Sequence, residues 1–261
     1  DRDWSSDVCS SDLTGSLRAT QAMSDVVVSI KNGGGIRAAI GEIVQEGETV
    51  TFLPPQANPD SGKLAGQVSQ LDLENSFKFN NSLTIMTLTA EELRWVMEHG
   101  VAASAEGATP GQFAQVAGMR FSYDLSQQAI VISGTQVVTE GMRIQTMAIL
   151  DDNGLTSDIV VRNGELVGDP SREIKIVTLN FLAGGGDNYP FPAFGENMID
   201  TGIGEQEALA SYLMANFPVG GSASYSTAET PPAQDSTIQN LAIVNNDTVL
   251  RMFYMPFIRN D

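Results

Sequence analysis

Basic residues, histidine and cysteine are all scarce in this 261-residue chain, and each scarcity closes off a class of function. Lys and Arg number 14 against 32 Asp and Glu, a formal net charge of −18. That field repels nucleic-acid backbones and anionic lipid surfaces, so a DNA- or RNA-binding protein is not expected. It also opposes the approach of free nucleotides, so any phosphate site has to be built locally from backbone amides and a few arginines. The single cysteine, Cys9, allows neither a disulfide framework nor a cysteine-based zinc site. A two-metal hydrolase centre needs several His, Asp and Asn ligands around ions about 3.5–4 Å apart. One histidine, His99, cannot supply that set, and a lone helical histidine reads as a packed or capping residue. No apolar run approaches the roughly 20 residues that span a bilayer, and no basic start followed by an apolar stretch reads as a signal peptide.

What is present is enough for a core. With 42% hydrophobic residues the chain fits one domain, or one with an appendage. Residues Asp1 to Leu13 show no helical or strand period, and from Asp3 onward they resemble the translation of a sequencing adapter. They are set aside, and a native Ser/Asp-rich loop is the alternative. The domain is expected to run over 14–217, followed by a linker and extension over 218–261.

Within it, Gly15 to Met23 reads as the tail of a helix and Val26 to Ile30 as a buried strand. The Pro-, Gly- and Asn-rich stretch from Gly47 to Leu64 reads as a hairpin or excursion, and Val68 to Ser76 as a short helix. A strand over Ser82 to Leu88 meets Thr89-Ala90-Glu91-Glu92, a capping box. Leu93, Val96, Met97 and Val101 then follow at helical spacing. Met119 to Tyr123, Ala129 to Ile132, Met142 to Leu150, Ile159 to Val161 and Glu173 to Leu179 are further strands, with turns at Gly134 and Asp152-Asn153-Gly154. The carboxylates of Asp151 and Asp152 there read as turn residues, with a weak calcium contact as the alternative. Glu205 to Phe217 is an amphipathic helix with Leu209, Tyr212, Leu213 and Phe217 on one face, stopped by Pro218. Gly220 to Asp235 reads as a linker, and Ile238 to Ile258 as a docked tail or the start of another module.

Two glycine-rich breaks follow strands, Asn32-Gly33-Gly34-Gly35-Ile36-Arg37 and Gly184-Gly185-Gly186-Asp187. Consecutive glycines let the backbone come close to a ligand, and Arg37 offers a planar fork for phosphate or ribose oxygens. Neither break has the spacing of a Walker loop or a dinucleotide fingerprint, and a tight turn is the alternative reading of each. Phe79 and Phe181 stand beside strand ends, where two rings can sandwich a base or simply belong to the core.

The order of these motifs carries a resemblance. Asn32 to Arg37, Phe79-Asn80-Asn81, Leu88-Thr89 leading to Glu98-His99, Gly111 to Gly118 and Asn180 to Asp187 follow one another as in the 5'-nucleotidase C-terminal domain. The likeness runs from about Gly15 to Phe217. It implies an α+β fold in which a mixed β-sheet is flanked by helices. It implies further that Phe79 and Phe181 stack on the base, that Asp187 binds the ribose hydroxyls, and that Asn32, Arg37 and Asn81 make polar contacts to the nucleotide. Gly34 and Gly35 would bring the backbone close. Two divalent metal ions, and catalysis itself, would belong to an N-terminal metallophosphatase domain that this chain lacks, so no catalytic or metal-ligating residue and no cofactor is expected here. The expected partners are a nucleotide or nucleoside and that domain, in an exported protein. A UDP-sugar hydrolase, a cyclic-nucleotide phosphodiesterase and a non-catalytic nucleoside-binding module are the alternatives. This chain departs from the pattern twice: Arg18 does not match the arginine that members carry upstream of Asn32, and Lys78 stands where proline is common.

Overall fold

The computed structural model describes residues 7–47, 49–108, 110–134, 136–221, 233–244 and 247–250. Helix α1 (Asp7–Gln21) begins inside the stretch that shows no apolar period. Its buried face mixes Leu13 and Leu17 with the small polar residues Ser16 and Thr20, a pattern that hydrophobicity alone does not reveal. Strand β1 (Val28–Asn32) is buried along its whole length, and Gly33–Gly35 make one 3₁₀ turn at its end. A hairpin of β2 (Glu42–Glu46) and β3 (Thr49–Leu53) follows, and it starts earlier than expected: β2 precedes the Pro-, Gly- and Asn-rich stretch from Gly47 and only β3 lies within it.

Helix α2 (Gln70–Ser76) starts at a capping box between Ser69 and Asp72. Strand β4 (Ser82–Thr89) leads directly into α3 (Ala90–Ala102). The Thr89–Glu92 capping box forms as its sequence requires, with the Glu92 carboxylate accepting the Thr89 N–H at 2.8 Å. Leu93, Val96, Met97 and Val101 are fully buried, each contributing about 1.5–3 kcal/mol by removal from water.

The middle of the chain is β5 (Ala114–Ala117), β6 (Met119–Tyr123), β7 (Val131–Ser133), β8 (Gln136–Thr139), β9 (Ile144–Leu150), β10 (Thr156–Arg162) and β11 (Glu165–Leu166). Strand β12 (Glu173–Leu179) ends in the short helix α4 (Asn180–Ala183), which is followed by α5 (Phe191–Phe194), β13 (Glu196–Gly204), α6 (Glu205–Asn216) and β14 (Ile238–Asn240). In α6, Leu209 is buried and Tyr212 and Leu213 half-buried, as the spacing predicts; Glu205 and Gln206 at its start are buried as well.

Two five-stranded sheets organise the molecule, in the orders β13-β4-β12-β1-β5 and β11-β10-β9-β6-β14. Both are mixed: β1 runs parallel to β12, β14 runs parallel to β6, and the other pairs are antiparallel. Helix α3 touches strands of both sheets, and its apolar face joins theirs in one hydrophobic core. The fold is therefore α+β, with mixed sheets flanked by helices.

A smaller apolar cluster of Leu13, Ile36, Leu73, Phe77 and Leu209 ties α1, the loop after β1, α2 and α6 together. Gly15 lets α1 and α6 meet closely, since a Cβ there would lie 3.2 Å from the Ala208 carbonyl oxygen and 3.3 Å from the Leu209 Cα. Beyond α6, residues 222–232 of the glycine- and serine-rich stretch and residues 251–261 lie outside the described residues. Between them the chain docks on the second sheet. The hydroxyls of Ser122 and Thr146 both donate to Asp247 Oδ2 at 2.5 Å, and Val249 is buried.

Candidate functional site

The register of the first sheet decides which loops meet. Because β1 and β12 are parallel, with Ser29 opposite Val177, the segments that leave them, 32–37 and 180–188, emerge at the same sheet edge. Strand β4 is antiparallel to β12, with Leu83 opposite Leu179, so the turn that enters it, 79–82, lies at that edge too. Residues separated by more than a hundred positions are thereby brought together. Phe79 and Phe181 flank the edge with 64% and 46% of their surfaces exposed. Most of the aromatic side chains among the described residues are buried, and these two large rings are left in solvent where three loops converge.

Phe181 rests on the second glycine break. A Cβ on Gly186 would sit 2.5–2.6 Å from three atoms of its ring, so only glycine leaves that space. Asp187 and Asn188 follow with φ of 51° and 58°, the left-handed region that favours residues without a Cβ. Asp187 is fixed on two sides. Asn32 Nδ2 donates to Asp187 Oδ2 at 2.6 Å, and His99 Nε2 lies 3.0 Å from the Asp187 carbonyl oxygen. A carbonyl only accepts, so that imidazole nitrogen carries the hydrogen. Burial holds the His99 pKa below its usual value, against the opposing effect of Asp187, and the ring stays neutral near pH 7.

The first glycine break is built into the sheet. Gly33 N–H donates to the Phe113 carbonyl at 2.9 Å and Gly34 N–H to the Gly111 carbonyl at 2.7 Å. A Cβ on Gly34 would lie 3.0 Å from that same Gly111 oxygen, and one on Gly35 would lie 3.4 Å from Asn32 Oδ1. The Arg37 side chain is exposed and donates to the Gly34 carbonyl at 3.0 Å, while its backbone N–H donates to the Ser76 carbonyl. Beside it opens a cleft of about 650 Å³ whose lining includes the cations Arg37, Lys63 and Lys78 and the carboxylates Glu42 and Asp72. Lys63 is paired with Asp72 at 2.8 Å, and this bond with those from Ser69 holds the Asp72 carboxyl below its usual range although burial opposes it.

Asn81 faces Glu205. Its N–H and its amide group bond to Glu205 Oε1 at 3.0 and 3.3 Å, and its carbonyl accepts the Glu205 N–H. Glu205 in turn belongs to a buried group with Lys31 and Asp12, around a void of about 10 Å³ that also touches Asn32 and has room for one water. Sequence reasoning missed Lys31, Glu205 and Gly186. The first two are charges inside apolar or polar periods, with no local signal of burial, and Gly186 reads only as one more glycine in a turn.

Other candidates lie elsewhere. Arg18 pairs with Asp152 at 2.8 Å in the turn between β9 and β10, away from the converging loops. Asp151 Oδ1 accepts the N–H groups of Asn153 and Leu155, the bonding of a tight turn, which lowers its carboxyl pKa. Among the described residues no three His, Cys, Asp or Glu side chains converge on a point where an ion would sit. The described residues therefore offer no such ligand set, and the groups near the edge are two rings suited to a planar group, a carboxylate suited to hydroxyls and a guanidinium suited to an anion.

Sequence comparison finds relatives of this chain, and structure comparison finds proteins that share its fold. The chain is 22% identical over 202 residues to Protein 5NUC of Lutzomyia longipalpis, covering 77% of this chain and 29% of that protein. It is 26% identical over 184 residues to the 5'-nucleotidase of Homo sapiens, covering 70% and 25%. Thus it spans less than a third of either relative. Among solved structures, the 5'-nucleotidase precursor of Thermus thermophilus superposes with a TM-score of 0.60 at 22% identity, over 89% of this chain and 35% of that one. The NAD nucleotidase of Haemophilus influenzae does so with a TM-score of 0.53 at 17% identity, over 88% and 33%. Residues 7–196 match the family described as 5'-nucleotidase, C-terminal domain, and with that match covering most of its length the chain belongs to this family.

Proposed function

We propose that this domain binds the nucleoside part of a nucleotide for a 5'-nucleotidase-type phosphohydrolase, and that a separate metallophosphatase domain carries two divalent ions and cleaves the phosphate ester. One observation carries the reading: the sheet register sets the exposed rings of Phe79 and Phe181 at the same edge as the Asn32–Asp187 pair. In this reading the base lies between the rings, Asp187 takes the ribose hydroxyls, Asn32 and Asn81 make polar contacts, and Gly34 and Gly35 let the backbone come near. Arg37 takes the anion, since a chain of net charge −18 offers few other cations. The names of the relatives, 5'-nucleotidase and NAD nucleotidase among them, support a nucleotide substrate. The Thermus protein's description as a precursor supports an exported enzyme. No helix among the described residues is long and apolar enough to cross a membrane.

Calorimetry with adenosine and AMP tests this. Stacking is worth about 1–3 kcal/mol per base, so Phe181→Ala and Phe79→Ala should each weaken binding by roughly 5- to 150-fold. Asp187→Ala should cost about 1.5–3 kcal/mol of binding, the range of a hydrogen bond to a charged group. With added Mn²⁺ or Zn²⁺ the chain alone should release no phosphate from AMP. The reading fails if the wild-type chain binds neither ligand, or if none of the three substitutions changes its affinity.

A fourth substitution separates the ring's seat from its stacking. In Gly186→Ala the new methyl group displaces an exposed ring that is free to swing outward. Melting should therefore shift by no more than a few degrees while adenosine affinity falls to about that of Phe181→Ala. Unaltered affinity would show that the seat does not position the ring for binding.

A further inference from the structure

The loop that presents Asp187 carries its own restraint, and it comes from α3. Asp187 and Asn188 both occupy the left-handed region, which Asp and Asn enter more readily than other residues with a Cβ, and neighbouring contacts add to what keeps them there. Within the loop only short turns are available: Asn188 N–H to the Gly185 carbonyl and Tyr189 N–H to the Gly186 carbonyl, each 3.1 Å. The remaining contacts form a closed circuit with α3. His99 Nε2 donates to the Asp187 carbonyl at 3.0 Å, and the His99 ring meets the Tyr189 ring edge-on at 4.9 Å between centroids. The Tyr189 hydroxyl donates to the Gln112 carbonyl at 2.8 Å, and Gln112 Nε2 donates back to the His99 carbonyl at 3.1 Å. Tyr189 is almost wholly buried, stacked on Phe191 at 5.4 Å. Gly100 makes room for the circuit, because a Cβ there would lie 2.5 Å from the Ala114 Cβ and 3.1 Å from the Tyr189 hydroxyl.

The main chain of Asp187 is held from one side by His99 and its Oδ2 from the other by Asn32, which narrows the orientations open to the carboxylate. No described residue bonds its Oδ1. We propose that His99 is a positioning residue that latches the Asp187 main chain, so that the domain selects ligands carrying a vicinal ribose diol over their 2'-deoxy counterparts. This rests on the nucleoside-binding reading above for its ligand, though not for the latch itself. A histidine that only filled space would support the pocket as a whole. One that aims the carboxylate affects only the part of the ligand that the carboxylate touches.

The test pairs calorimetry with amide hydrogen exchange on the whole chain, using adenosine and 2'-deoxyadenosine as probes. In His99→Phe, which keeps a ring but loses the donor, adenosine affinity should fall about 10-fold and 2'-deoxyadenosine affinity should stay within about twofold. Exchange at the Asn188 and Tyr189 amides should quicken by about 10-fold or more, while the β4 and β12 amides keep their protection. His99→Gln, whose amide can donate from a similar position, should retain both the ribose preference and the slow exchange. His99→Leu repeats the test if the Phe variant does not fold. Equal loss for both nucleosides, or unchanged exchange in a folded variant, overturns the latch. If the wild-type chain binds neither nucleoside, the ligand reading fails by itself, and the exchange experiment still decides for or against the latch.

Discussion

Replacing Lys31 by methionine should destabilise the folded chain by about 3–5 kcal/mol, the range for removing one partner of a buried ion pair. Among the described residues Lys31 is the one cation that faces these two carboxylates: its Nζ is 2.5 Å from Asp12 Oδ2 and 3.6 Å from Glu205 Oε2, and the three side chains are at most 5% exposed. Burial is the dominant influence on Asp12 and pushes its pKa up from 3.8 to about 6. Lys31 pulls it down, and Glu205 adds to the rise. A folded-state pKa raised in this way favours the protonated acid. The stabilisation is complete below about pH 4 and is lost as pH rises through about 6. Without Lys31 the Asp12 carboxyl should rise further, so the variant should lose more at pH 7.5 than at pH 5.

Urea denaturation of wild type and Lys31→Met at those two pH values measures this, and the difference between the proteins removes the general repulsion of an acidic chain. Adding Asp12→Asn should recover much of the loss at pH 7.5. A penalty below about 1 kcal/mol, or one that is equal at both pH values, would show that the buried group is not the charge cluster described here. Because Lys31 precedes Asn32 and the void touches both, the damage should extend to the site.

Glu98→Ala should have an effect of similar size by a different route. Glu98 is fully buried, and its carboxylate accepts the Arg143 N–H at 3.1 Å and the Ile144 N–H at 2.8 Å. Truncation leaves both donors without a partner at about 1–3 kcal/mol each, hence roughly 2–6 kcal/mol in all. For a chain of this size that corresponds to a fall in melting temperature on the order of 10 °C. Glu98→Gln keeps one acceptor oxygen and turns an NH₂ group toward the other N–H, so its loss should be intermediate.

The location makes Glu98 more than a local bond. Arg143 NH1 donates to the carbonyls of Val101, Ala102 and Ser104 at the end of α3, and Gly141 packs so closely that a Cβ there would collide with the Glu98 carboxylate. Glu98 thus fastens the helix that carries His99 to the start of β9. Scanning calorimetry of the two variants checks the prediction, and a change of less than about 3 °C in Glu98→Ala would contradict it.

Much of the fold was legible because the relevant forces are local. Thr89 and Glu92 cap α3 in the structure as in the sequence, and β6 and β12 occupy Met119–Tyr123 and Glu173–Leu179, the ranges their patterns predict. Strand β13 was not legible. Its residues are mostly exposed and show no alternation, and it exists because the open side of β4 accepts its hydrogen bonds. The first half of α1 was hidden for a related reason, since the polar residues Ser11 and Asp12 are buried there where an apolar period would have marked a helix face.

The site divides along the same line. Sequence alone offered the parts of the candidate site: the glycine breaks, the rings of Phe79 and Phe181 and the carboxylate of Asp187. Each of those is a property of residue type and near neighbours. Only the tertiary structure decided that they meet, because the parallel pairing of β1 with β12 and the antiparallel pairing of β12 with β4 put three distant loops at one edge. It also decided which residues hold them. Lys31, Glu205, Glu98 and His99 act through burial and through partners far along the chain, and neither burial nor a distant partner leaves a mark in the residues on either side.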